Sequence, residues 1–315
     1  MLFRSVVAGS MIGSGIFIVS ADIARNVGSS GWLIAVWLIT GFMTITAAVS
    51  YGELSAMFPK AGGQYVYLKE AYNSFTGFLY GWSFFAVIQT ATIAAVGVAF
   101  SKFAGYFFHP LEMTDDNIIF QMGAYKIYIA QLVSIVLIVL LTYINTKGIQ
   151  GGKLIQTTFT IAKLLALFGI IIFGFILVKD THWTENWSTG LNAAKDLGAK
   201  DASGLLHPTG WKSITTMMLV GAIAASMSGS IFSSDAWNNV TFIAGEIKNP
   251  KRNIGLSLFF GTLIVTAIYV LTNLVYLNTL PLQDIAFAKQ DRVAVVAANG
   301  IFGDMGTYVI AALIM

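Results

Sequence analysis

Residues 9–17 read Gly9-Ser10-Met11-Ile12-Gly13-Ser14-Gly15-Ile16-Phe17, in the middle of an uncharged window that runs from 5 to 21. A helix needs about 20 mostly apolar residues to cross ~30 Å of hydrocarbon, and this window is close to that length. Its centre is built from poor helix formers, since each interior Gly costs up to ~1 kcal/mol relative to Ala. Gly9 and Gly13 fit close helix packing as a small-xxx-small pair. Gly15 does not, and a Gly-Ser-Gly triplet at mid-membrane is better explained by unwound backbone lining a cavity.

The signature returns at Ser226-Met227-Ser228-Gly229-Ser230-Ile231-Phe232-Ser233-Ser234-Asp235-Ala236-Trp237-Asn238-Asn239. Five serines, a glycine and an aspartate among ten central residues make a poor lipid-facing helix, although serines also serve helix packing. Two interrupted hydrophobic segments in corresponding positions of two halves point to a carrier built from inverted repeats. The first and sixth spans would each open a five-helix repeat.

Composition supports a membrane protein throughout. Of 315 residues, 56% are hydrophobic and only 10% charged, against about 25% charged in soluble domains. Eighteen basic and fifteen acidic residues leave no strong basic field, so nucleic acid is excluded as a partner. Three His and no Cys remove most routes to metal, thiol or disulfide chemistry; neither a cofactor nor a metal is expected. Uncharged windows at 26–52, 71–101, 127–146 and 253–283, with 154–178 (one charge, Lys163) and 213–245 (one charge, Asp235), complete seven spans; 305–315 starts an eighth. Uniform apolarity favours helices over barrel strands. The fold class is therefore an all-α polytopic membrane protein in contact with the lipid bilayer, cut within helix 8. Its expected domains are a first repeat over 1–180, an external loop over 181–212 and an incomplete second repeat over 213–315.

Arg4, the apolar run and Val19-Ser20-Ala21 also fit a signal peptide, but the glycine triplet interrupts that run. With the N-terminus cytoplasmic, eight basic residues fall in short inner segments, and nine fall in longer outer loops beside eleven acids. The positive-inside rule weighs short loops near helix ends and favours this orientation. The loop with Trp183, Trp187 and Trp211 then lies outside, its tryptophans acting as interface anchors.

Breaking helix 1 near Gly13–Gly15 frees the amides of Ser14, Gly15 and Ile16, which attract a carboxylate. Unwound carbonyls there and at the end of the first half of helix 6 would accept from an ammonium group. One site could thus hold an α-amino and an α-carboxyl group without a charged side chain. Lys163 lies ten residues beyond Lys153, ~15 Å along a helix and near mid-membrane. Burying it there costs ~2.5–3.5 kcal/mol on insertion scales, so it should face the bundle, bracing a site or carrying a proton. Asp235 is eleven residues from Glu246 and also deep. It would either cap the second half of helix 6 or act in the cavity, with Phe232 and Trp237 covering an apolar side chain.

Several motifs resemble the amino acid–polyamine–organocation (APC) superfamily, most closely its L-type amino acid transporter subfamily. They are Gly9–Phe17, Tyr51-Gly52-Glu53-Leu54, Pro59-Lys60-Ala61-Gly62-Gly63-Gln64-Tyr65-Val66-Tyr67-Leu68, Ala162-Lys163-Leu164-Leu165, Trp237-Asn238 and Glu246-Ile247-Lys248-Asn249-Pro250-Lys251-Arg252-Asn253. The resemblance implies ten core helices in two inverted repeats, with a re-entrant segment over about 59–72. It also implies sodium-independent transport of L-amino acids, often by obligatory exchange, in a plasma or inner membrane. Carried over by position, Gly13, Ser14, Gly15 and Ile16 match the carboxylate-binding segment, and Ile12 beside them is an expected substrate-binding residue. Phe232 matches a gating aromatic, and Trp237 and Asn238 match residues near the substrate side chain; Ser233 and Asp235 are further expected substrate-binding residues. Lys163 matches a helix 5 lysine that stands in for a second sodium ion and braces helices 1, 5 and 8.

The sequence departs from many relatives with Ser234 for Tyr and Ala236 for Gly. Animal relatives join a glycoprotein through a cysteine between helices 3 and 4; none of these 315 residues is Cys, so no disulfide-linked heavy chain is expected. Alternatives to an exchanger are a proton-coupled symporter, a sensor that binds without transporting, and a pigment protein using Lys163 as a Schiff base. A membrane enzyme fits poorly, because His109, His182 and His207 all fall in loops.

Overall fold

The computed structural model describes residues 2–123, 125–147, 149–201, 204–247 and 249–315. Lys248 lies outside them, as do the side chains of Arg4, Lys153 and Glu246. Seven described helices are long and apolar enough to cross a membrane: Ser30–Met57, Ser74–Phe107, Ile129–Thr146, Leu154–Ile176, Thr216–Ser233, Pro250–Thr279 and Val293–Ile314. The first span is not among them because it is broken, into Leu2–Met11 and Val19–Val27. The last carries non-helical backbone at Gly303 (φ 70°, ψ −167°). The uncharged window beginning at 305 is therefore its second piece. Large apolar side chains such as Phe85, Val136 and Leu165 stand exposed along the spans. A hydrocarbon solvent accommodates such a surface and water does not.

The chain divides into two compact units. One comprises Met1–Gly13, Trp37–Thr92 and Ser230–Val270. Its core includes Val7, Trp37, Ile254, Leu258 and Tyr269, all buried. Spans 2 and 7 touch backbone to backbone here, since a Cβ on Gly52 would lie 2.9 Å from the Cα of Gly255. Small residues permit that approach. Thr40 on span 2 and Ser230 on span 6 share a hydroxyl hydrogen bond of 2.7 Å. The segment after span 2 turns at Gly62 and Gly63, both with positive φ, and forms the short helix Gln64–Ala71.

The second unit comprises Ser14–Val36, Ile93–Gly229 and Leu271–Met315. Within it the fifth span packs along Val293–Ile314, with the Phe173 and Phe302 rings 5.6 Å apart. Ser101 and Ser134 join spans 3 and 4 at 2.7 Å, and Ser20 donates to Asn273 at 2.6 Å. The Asn186 amide donates to the carbonyls of Leu277 and Leu280, closing the otherwise unpaired end of the seventh span. Two-residue hairpin rungs, Ala194–Lys195 with Lys212–Ser213 and Ala199–Lys200 with Leu206–His207, order the long loop. Arg25, Lys102, Glu112, Asp291 and Arg292 form a charge network in this unit. Arg25 reaches Asp291 at 2.9 Å, Lys102 reaches it at 3.1 Å, and Arg292 reaches Glu112 at 2.9 Å.

Candidate functional site

Helix 1 ends at Met11, where the glycine run begins. Ile12 closes the last turn through its amide to Ala8 O at 3.1 Å, and regular structure resumes as a 3-10 turn over Gly15–Phe17. A Cβ on Gly13 would meet nothing nearer than Met11 O at 4.0 Å. Gly13 is therefore not held by close helix packing, which favours the unwound-backbone reading over the small-xxx-small one. Among the described residues, no acceptor meets the amides of Ser14, Gly15 and Ile16. The next amides do have partners, Phe17 on Ser14 O and Ile18 on Gly15 O.

Helix 6 ends at Ser233 and resumes as the short helix Asn239–Phe242. Between them Ala236 takes φ of 66°, a left-handed conformation that costs a residue with a Cβ ~1–2 kcal/mol. Asn238 occupies the N-cap of the short helix without a side-chain cap bond. Asp235 does not cap it, because the helix restarts too far along the chain. Its carboxylate is exposed and meets no hydrogen-bond donor or cation among the described residues. Phe232 is also exposed, at 45%, whereas Ser233 is buried and Trp237 and Asn238 are half-buried.

One side chain joins the two breaks. The Tyr269 hydroxyl, on span 7, donates within reach of Met11 O at 2.9 Å and Ser233 O at 3.0 Å. These are the last helical carbonyls before each interruption, groups that a helix end leaves unpaired. Tyr269 is 1% exposed, and the Trp37 ring meets it edge-on at 5.3 Å. The Trp37 indole N–H is itself buried without a partner among the described residues. Two turns further along, Tyr276 donates to Ile16 O at 3.4 Å.

Aromatic and polar groups continue from the helix 6 break. Trp237 packs edge-on against Tyr51 at 5.0 Å. Gln64 donates to the Tyr51 hydroxyl at 3.1 Å and accepts from the Tyr80 hydroxyl. The Gly62 amide donates to Phe242 O at 3.3 Å, so the segment after span 2 is pinned to the chain that follows the break. Lys163 lies in the second unit, half-buried on its span, with no hydrogen-bond or ion-pair partner among the described residues.

Tyr269, Tyr276 and Trp37 are absent from the residues singled out by sequence, and Gln64 entered only as part of the 59–68 motif. The available signal was weak: two tyrosines seven residues apart lie on one face of span 7. Their partners are carbonyls more than two hundred residues away, or across a helix crossing, which local pattern does not encode.

A polytopic helical bundle with interrupted first and sixth spans, joined through a buried hydroxyl, has the architecture of a membrane carrier. The chain belongs to the amino acid permease family, whose model matches residues 4–315. It is similar to the large neutral amino acids transporter small subunit 2 of Homo sapiens, at 27% identity over 300 residues, 95% of this chain and 50% of that one. Similarity to the Asc-type amino acid transporter 1 of Mus musculus is 27% over 299 residues, again 95% and 50%. The b(0,+)-type amino acid transporter 1 of Oryctolagus cuniculus is 27% identical over 294 residues, 91% of this chain and 53% of its own length. The chain thus spans about half the length of these relatives. Family and relatives are transporters and not enzymes, as the APC motifs implied.

Proposed function

We propose that the full-length protein is a sodium-independent exchanger of L-amino acids, working by alternating access in a plasma or inner membrane with its N-terminus cytoplasmic. The observation that carries this reading is the Tyr269 hydroxyl on the terminal carbonyls of both interrupted helices, followed in helix 1 by three amides that meet no acceptor among the described residues. The amides of Ser14, Gly15 and Ile16 suit a carboxylate, and unwound carbonyls suit an ammonium group. Ile12, Gly13, Phe232, Ser233, Asp235, Trp237 and Asn238 complete the substrate set. Specificity then resides in the side-chain pocket. Lys163 supplies a fixed positive charge in place of a coupling sodium ion. The two breaks open two inverted five-helix repeats, over 1–180 and from 213, with 181–212 as the outer loop. These residues hold no cysteine, so a disulfide-linked heavy chain has no attachment point within them.

The test is uptake of radiolabelled L-amino acids into sodium-free proteoliposomes holding the full-length protein. Uptake that requires unlabelled amino acid inside supports exchange. Uptake without it, rising with an inward proton gradient, would replace exchange by symport. Binding without flux would select a sensor.

A further inference from the structure

Between spans 3 and 4, within the second unit, the chain folds into a hairpin far in sequence from both helix breaks. Strand Ile118–Met122 pairs antiparallel with strand Tyr125–Tyr128, setting Phe120 opposite Ile127 and Met122 opposite Tyr125. Side chains alternate across a strand, so these two pairs share one face. That face is apolar apart from the Tyr125 hydroxyl, and it is uncovered, with exposure running from 40% at Ile127 to 78% at Tyr125. The opposite face carries the pair Gln121 and Lys126. Lys126 is the one charged residue between 118 and 128, and Asp115 holds its ammonium at 2.7 Å. The hairpin is therefore amphipathic and locally neutral. A two-stranded hairpin with an open apolar face is marginal in water, and burying that face is favourable.

The join to span 4 says what covers the face. Tyr128 ends the second strand and is also the N-cap of the helix Ile129–Thr146. Its amide donates to Gln131 Oε1 at 3.0 Å, so strand passes into helix without a linker. That helix has 18 residues, ~27 Å at 1.5 Å per residue, just under the ~30 Å of hydrocarbon it has to cross. Its first turn thus starts at the edge of the hydrocarbon, and the strand leading into it lies at headgroup level. The apolar face continues the exposed surface of span 4, where Leu132, Ile135 and Val136 meet lipid. An aromatic ring with a polar tip, as at Tyr125, suits that depth.

We propose that this hairpin is a membrane-interface anchor whose partner is the lipid surface around span 4. Phe120, Met122, Tyr125 and Ile127 lie among the headgroups and upper acyl chains, while Gln121 and Lys126 face water. With its single lysine already paired, the hairpin needs no anionic lipid, and zwitterionic phosphatidylcholine suffices.

The test places a nitroxide spin label at Phe120→Cys, Tyr125→Cys or Gln121→Cys in the full-length protein, any other cysteine being replaced. Each variant is reconstituted in phosphatidylcholine vesicles. Collisions of the label with oxygen, which concentrates in lipid, are compared with collisions with a water-soluble nickel chelate. Labels at 120 and 125 should favour oxygen and the label at 121 the chelate. Thermal midpoints matching that of the unaltered protein report that the variants are folded. Labels at 120 and 125 as open to the chelate as the label at 121 would put the face in water and overturn the proposal. Labels at 120 and 125 shielded from both reagents would reveal a protein occupant, such as a second copy, and would overturn it equally.

Discussion

The hydroxyl of Tyr269 lies 2.9 Å from the carbonyl oxygen of Met11, the last helical residue before the break in span 1. The same oxygen lies 3.0 Å from Ser233 O at the end of the first half of span 6. A phenol has one hydrogen to donate, so the two carbonyls share it. This makes Tyr269 a joint between two interrupted helices, and its removal is the sharpest structural test of them. Tyr269→Phe keeps the ring that packs on Trp37 and deletes only the shared donor. A loss of about 1–3 kcal/mol is expected, read as a lower thermal midpoint of the full-length protein, together with slower amino acid exchange. An unchanged midpoint and rate would show that the joint does not matter.

Ala236 tests the break in span 6 in the opposite direction. Its φ of 66° favours Gly by ~1–2 kcal/mol, offset by the ~0.4–1 kcal/mol of unfolded-state entropy that Gly adds. Ala236→Gly should therefore stabilise by about 0.5–1 kcal/mol. Ala236→Val should destabilise, since a β-branched residue tolerates positive φ badly. Thermal midpoints of the pair, measured side by side, check the order.

How far this was legible beforehand differs between the two breaks and what joins them. The interruptions themselves announce their position, because Gly13-Ser14-Gly15 and Ser233-Ser234-Asp235 defeat a membrane helix locally. The left-handed backbone at Ala236 was not read from the sequence, since alanine carries no local signal for positive φ. Nor was the role of Asp235, because its value as a cap depends on where the helix restarts, and that is settled by packing of Val240 and Thr241, both buried. Tyr269 sits in a plain apolar window, and only the folded chain brings Met11 and Ser233 to it. The network of Arg25, Lys102, Glu112, Asp291 and Arg292 is hidden for the same reason, being drawn from loops far apart in sequence.

That network predicts an acid sensitivity. Burial alone would raise the Glu112 carboxyl, but hydrogen bonds and charge from Lys289 and Arg292 outweigh it and hold it below its ordinary 4.5. Burial likewise opposes, and Lys102 and Arg25 overcome, a rise at Asp291, which falls below its ordinary 3.8. Both folded-state values are depressed, so the unfolded chain binds more protons at acid pH. The stabilisation is full above pH 4.5, and is lost as pH falls through the two folded-state values. Glu112→Gln removes the carboxylate facing the buried Arg292 guanidinium and should cost about 3–5 kcal/mol. Its thermal midpoint should depend less on pH below 4.5 than that of the unaltered protein.

Lys163 separates transport from folding. It is half-buried on the fifth span with no partner among the described residues, so removing it leaves no carboxylate stranded there. Lys163→Ala should slow exchange severely while preserving folding stability to within about 1 kcal/mol, read as a nearly unchanged thermal midpoint. Full exchange activity in this variant would remove its assigned role.

The central claim is that the helix breaks recognise the α-amino and α-carboxyl groups of a substrate through backbone. The most direct measurement is competition against a transported L-amino acid by two of its analogues, the methyl ester and the decarboxylated amine, in the full-length protein. The account predicts that each analogue competes at least about a hundredfold more weakly than the parent, the cost of leaving charged hydrogen-bond partners unmet. A methyl ester that competes as well as the parent amino acid would contradict it.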